Sequence, residues 1–137
     1  MRPIKFRGYS EGSEGWVYGF LDFHDCFHGE YENPIISYFD EDENVGWTFC
    51  HVYENSVGQF TGAEDGHGTD IYEGDIIRDG HGRVYEVEWD EDEYQFVLRT
   101  SEGIIRYTLG GFVNDFIPFK VIGNKFENKE LMEGGEG

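Results

Sequence analysis

His24-Asp25-Cys26-Phe27-His28 is the stretch of this chain best suited to hold a metal. In an extended strand, residues i, i+2 and i+4 point to one face. His24, Cys26 and His28 would then offer two imidazoles and a thiolate to a soft divalent ion, Zn²⁺ above all. Cys50 or His51 could complete the set. The spacing is not that of a zinc finger, and the same residues read as the frayed end of a strand before Gly29. No cofactor is therefore expected, and a zinc site stands as the alternative. Asp40-x-Asp42-x-Asn44 opens like a calcium loop, but the required glycine falls one place late, at Gly46, and His51 stands where the closing Glu belongs. A solvated turn fits better. His67 and His81 lie in glycine-rich turns beside carboxylates, where histidines are commonly just exposed. No Ser or Cys has the setting of a nucleophile elbow, and no glycine-rich loop carries the Lys and Ser/Thr of a P-loop. No catalytic residue is assigned, and an enzyme is the less supported reading.

The elements that would position these residues are strands. The chain has 137 residues, the size of one domain, large enough to bury a core without disulfides or metals. Twelve Phe, nine Tyr and three Trp make it 18% aromatic, and it holds 20 Gly. Strands and their turns favour these residues; helices do not. Apolar alternation predicts strands over 4–9, 16–23, 35–39, 45–53, 76–78, 83–89, 94–99, 104–109 and 119–122. Residues 16–23 are apolar on both parities, which implies burial between layers. Residues 54–70, with Gly58, Gly62, Gly66 and Gly68, read mostly as loop. A helix is expected only at 129–132, capped by Asn128. No internal repeat is read. The tail 133–137 is expected to be disordered.

Three segments together resemble the YopX-like family of phage and prophage proteins. The opening Ile4-Lys5-Phe6-Arg7 is similar to the family's start, although Gly8-Tyr9 replaces its usual Ala-Trp. The centre, Val57-Gly58-Gln59-Phe60-Thr61-Gly62 with Ile71-Tyr72-Glu73-Gly74-Asp75-Ile76, matches closely, and 121–131 resembles the closing segment. The resemblance implies a mainly β single domain over 1–137. It would combine a β-rich N-terminal lobe over 1–62 with an SH3-like barrel over 63–132 and at most one short C-terminal helix. It implies no catalytic residue, because the family has none assigned. The motif residues Gly58, Gln59, Phe60, Thr61, Gly62, Tyr72, Glu73, Gly74 and Asp75 read as architecture. Gly58, Gly62 and Gly74 suit positive φ or close backbone approach, and Thr61 suits local bonding in a turn.

Charge is the strongest functional signal. Twenty-nine acids against ten bases give a net charge of −19. Residues 8–77 hold sixteen Asp and Glu and no Lys or Arg. Such a segment repels phosphate, so direct nucleic-acid binding is not expected. Duplex DNA carries one charge per about 1.7 Å of axis, and a domain of this length spans roughly 35 Å, so the protein approaches DNA in charge per length. The reading is a non-enzymatic interaction protein that presents an acidic surface to a basic protein partner. The alternatives are a metal-binding domain, catalytic or not, at His24, Cys26 and His28, or a self-assembling structural protein whose surplus aromatics line a homo-oligomer interface. No apolar run approaches the roughly 18 residues of a membrane span, and no apolar stretch follows the basic start as in a secretory leader. Cys26 and Cys50 read as free thiols. A cytoplasmic location in a bacterial host is expected.

Overall fold

Alternating side chains and tight glycine-bearing turns build this chain almost wholly from antiparallel strands. A computed structural model describes residues 3–12, 14–25, 32–41, 46–114 and 118–133, which fall into two compact units, 1–60 and 61–137. The expectations at Cys26, His28, the 42–45 part of the acidic turn and the tail 134–137 lie outside the described residues.

The first unit contains β1 (Phe6–Tyr9), β2 (Trp16–Asp25), β3 (Glu32–Asp40) and β4 (Gly46–His51), then a 3-10 turn at Glu54–Ser56. β5 (Gly58–Glu64) starts here and continues into the second unit. The strand order is β4-β3-β2-β1-β5, antiparallel throughout. Its core is small: Val17, Ile36 and Val52, flanked by Phe6, Leu21, Tyr38, Cys50 and Val57. A Cβ at Gly19 would run into the Ser37 carbonyl oxygen, so β2 and β3 lie closer there than a side chain allows.

The second unit adds β6 (Asp70–Tyr72), β7 (Asp75–Asp79), β8 (Val84–Asp90), β9 (Gln95–Arg99) and β10 (Ile105–Thr108). α1 (Leu109–Asn114), β11 (Phe119–Asn124) and α2 (Glu130–Glu133) complete it. β7 to β10 meander, and β11 returns to β7, giving the order β10-β9-β8-β7-β11. Its core is larger and includes Ile77, Tyr85, Val87, Leu98, Phe112 and Phe119. The mainly β class is as expected. The pairings form an open sheet, and among the described residues no closed barrel is found.

Three local expectations are corrected. Residues 58–64 are a strand and not loop, because β1 supplies a distant partner: Phe6 pairs with Gln59 and Arg7 with Gly58. α1 was not expected, since Gly110-Gly111 costs roughly 1 kcal/mol per glycine in a helix. Thr108 Oγ1 caps the turn by accepting the Gly111 N–H at 3.1 Å, and Leu109 and Phe112 bury their side chains. Asn128 does not cap α2 through its side chain. Its Oδ1 accepts the Asn124 N–H at 3.2 Å, while its backbone carbonyl accepts the Leu131 N–H at 2.9 Å.

The two histidine turns prove to be copies of one another. In Asp65-Gly66-His67-Gly68-Thr69 and in Asp79-Gly80-His81-Gly82-Arg83, the Asp Oδ1 accepts the His N–H at 2.8 Å and the N–H of the fifth residue at 2.9 Å. In both, the Asp N–H reaches the fifth carbonyl at 2.9 Å and the second glycine bonds back at 3.1 Å. Gly68 and Gly82 hold φ of 81° and 84°, which glycine tolerates without strain. Oδ1 of each aspartate is thus spent on its own turn, while Oδ2 accepts the Val121 N–H at Asp65 and the Tyr85 hydroxyl at Asp79, both at 3.0 Å.

Candidate interaction surface

The period of two along β2, β3 and β4 sorts their side chains onto two faces. One face carries Val17, Ile36, Tyr38 and Cys50 into the first unit's core. The other carries Tyr18 and Phe20 from β2, Phe39 from β3, and Trp47 and Phe49 from β4, each 49 to 63% exposed. The expected burial of β2 between two layers is therefore corrected: this side of it is open. Cross-strand register aligns the rings, with Phe39 opposite Trp47, and Ser37 opposite both Phe20 and Phe49. The Trp47 ring lies 5.9 Å from Phe20 and 5.8 Å from Phe39, and Phe49 meets His51 edge-on at 6.1 Å. At about 200 Å² per aromatic side chain, half exposed, these five present on the order of 500 Å² of surface. That is the upper range of the largest apolar patch on a monomer, where patches tend to be functional.

The electrostatics of this face are one-sided. Asp22 lies at one end of it, beside Ile35 in the register, and the exposed Glu41 follows β3 at the other. Two of the first unit's bases are engaged with its own rings: Lys5 Nζ is 4.6 Å from the centre of Phe60 and the Arg7 guanidinium 4.7 Å from that of Trp16. From residue 8 to residue 60 no further base exists. An apolar centre with an acidic rim is what remains.

The sequence motif residues sit elsewhere: Gly58, Gln59 and Phe60 in the part of β5 within the first unit, the others at joints of the second. Thr61 Oγ1 donates to the Ile71 carbonyl at 2.8 Å and accepts from Ala63 N–H at 3.2 Å. Gly62 and Gly74 hold φ of 92° and 93°, whereas Gly58 lies in the β1 pairing without positive φ. The Gly74 N–H donates to Val87 and its carbonyl accepts from Lys125, both at 2.8 Å, which ties β8 and the end of β11 to one turn. Asp75, 2% exposed, accepts the Tyr72 N–H at 2.7 Å. Gln59 pairs with Phe6, and Phe60, Tyr72 and Asp75 are buried while Glu73 is half-buried in the turn. These contacts are architectural.

Of the metal candidates, His24 enters the sheet by backbone pairing with Asn33. Cys50 and His51 are successive in β4 and so point to opposite faces; they cannot both complete one site with His24. Cys50 is a free thiol 3.8 Å from the Tyr38 hydroxyl, and that hydrogen bond, with burial, pushes Tyr38 up to about 12. Among the described residues no group of three or more His, Cys, Asp or Glu is placed to hold a metal.

One acid pair escaped the sequence reading. Glu86 and Glu88 share a face of β8, and Arg99 of β9 donates through Nε to Glu88 at 2.5 Å and through Nη1 to the Gly103 carbonyl at 2.7 Å. Burial, then the bond to Glu88, pushes Glu86 up to about 7. Glu88 is also penalised by burial, yet hydrogen bonds from Glu86 and Arg99 hold it below the usual carboxylate range. The alternation E-x-E opposite an Arg was the available signal, hidden among many acids.

The whole arrangement, from β1 to α2, coincides with a family model described as YopX protein, which matches residues 5–133. The chain belongs to the YopX family. No curated protein matches it. Within this YopX-family chain, the motifs that carry family membership are the joints just described, and the exposed aromatic face lies apart from them in sequence. Among its described residues no helix is long and apolar enough to cross a membrane.

Proposed function

We propose that this YopX-family protein is a non-enzymatic interaction protein that docks a basic protein partner on the aromatic face of β2, β3 and β4. The observation that carries the reading is the exposure of Tyr18, Phe20, Phe39, Trp47 and Phe49 on one sheet face inside a base-free stretch of chain. A stable interface needs about 800 Å² per partner, with an apolar centre and a polar rim. The rings supply the centre, and Asp22 and Glu41 part of the rim. Acidic rims steer basic partners and fix register more than they add affinity. A second copy of the chain is a poorer occupant, since it brings −19 against −19. In this reading the partner is a basic host or phage protein met in the cytoplasm. In this reading the second unit is related to an SH3-like barrel, because four meandering strands, a single helical turn and a fifth strand returning to the first are the connectivity such a barrel uses.

The test is capture from host lysate by wild type, by Trp47→Ser and by Phe49→Ser across a salt series. A basic protein retained by wild type, released as salt rises and lost from both variants is the expected result. The same proteins retained by all three, unchanged by salt, would overturn it. Metal analysis of protein purified without chelator or tag addresses the alternative at His24, Cys26 and His28, which requires stoichiometric zinc.

A further inference from the structure

A cleft of about 300 Å³ opens in the second unit between the start of β8, the turn joining β9 to β10, and α2. Its size is at the lower end of small-molecule sites. Val84 and Ile104 form apolar wall on the sheet side, and Leu131 and Met132 form it on the helix side. Its charged lining runs against the composition of the chain. Acids outnumber bases 29 to 10 along the chain, yet the charged groups here are Arg83, Arg106 and a single carboxylate, Glu102. Arg106 enters no ion pair or hydrogen bond among the described residues. Arg83 closes the Asp79 turn with its backbone N–H, 2.9 Å from Asp79 Oδ1. Arg99, by contrast, is taken up by Glu88 and Gly103.

We propose that this cleft binds a monoanionic carboxylate carried on a short apolar chain. The planar fork of Arg106 matches a carboxylate through two parallel hydrogen bonds. Ser101 adds a hydroxyl to the lining, and the Leu131–Met132 wall receives the chain; methionine adapts to the shape it meets. Glu102 on the wall and the protein's overall negative field select one charge over two, which disfavours phosphate. The same chemistry comes from a free alkanoic acid or from the C-terminal residue of a peptide. The site is independent of the aromatic face, which belongs to the other unit.

The experiment is an amide-resolved NMR titration of the full chain with hexanoate, with N-acetyl-glycyl-leucine and with its neutral C-terminal amide. Both acids are expected to shift the amides of 83–84, 101–106 and 131–132, and the neutral amide is not. Arg106→Gln should weaken acid binding about tenfold or more, the loss of a charge-assisted pair, while the spectrum otherwise stays that of the folded protein. Arg106→Lys should fall between. A peptide acid stronger than hexanoate assigns the site to chain termini, and the reverse assigns it to free acids. Equal binding of acid and amide, no shift at these residues, or an Arg106→Gln variant that binds as wild type would each overturn the proposal.

Discussion

The two units spend similar residues in opposite ways. In the second, Tyr85, Tyr107, Phe112 and Phe119 pack edge-on or tilted at 4.9 to 5.8 Å around one core. In the first, the core cluster is three buried aliphatic residues with partly buried flanks, and seven aromatics are exposed, five of them on one sheet face. Aromatic content alone therefore says nothing of stability here. In the second unit these four rings line the core, and in the first five rings stand exposed on one sheet face.

The sharpest break of that contrast is a pair of truncations. Phe112→Ala should destabilise by about 3–5 kcal/mol, the cost of emptying a buried ring site. Trp47→Ser should cost no more than about 0.5 kcal/mol, as for a surface substitution. Denaturant unfolding of both checks this, and comparable losses would mean that the outer face is covered in the folded chain. Next in size is Gly19→Ala, which drives a methyl into the Ser37 carbonyl and should cost about 1–3 kcal/mol, read in the same unfolding curves. A neutral result would show that β2 and β3 separate easily and that the first unit is looser than its register suggests.

Two pH effects follow in the second unit. Burial opposes the Asp65 charge, but N–H donors from Val121, Thr69 and His67 outweigh it and lower its pKa. Its stabilisation is present above its unfolded value of 3.8 and is lost as pH falls through the lower folded value. Asp65→Asn should therefore flatten the acid limb of a melting-temperature profile. Glu86 works in the other direction. Its folded pKa of about 7 exceeds the unfolded 4.5, so the folded state keeps a proton that the unfolded chain releases, and stability falls as pH rises from 4.5 to 7. Glu86→Gln should remove that slope and raise stability above pH 7, by about 1 kcal/mol after solvent screening. Thermal melts across pH, wild type against variant, decide it; an unchanged slope would dismiss the shared proton.

Much of the fold was legible because hairpins are local. Residues 83–99 announce two strands and an acidic turn by alternation alone, and β8 and β9 lie there. β5 was missed because its partner, β1, lies some fifty residues away, and its own glycines speak for a turn. α1 was missed because tertiary burial of Leu109 and Phe112 overrides a poor propensity. The candidate surface was half legible. The base-free segment and the surplus of rings are plain in the sequence, but parity within a strand does not say which face meets the core.

Amino-acid order by itself determined the class, the family, the charge and most strand positions, since each depends on composition, short motifs or a period of two. Only the tertiary structure decided which face of β2, β3 and β4 stays bare, which arginines are taken up by carboxylates, and which carboxylates share a proton. Those outcomes depend on neighbours brought together from distant parts of the chain, and burial and charge act through such neighbours.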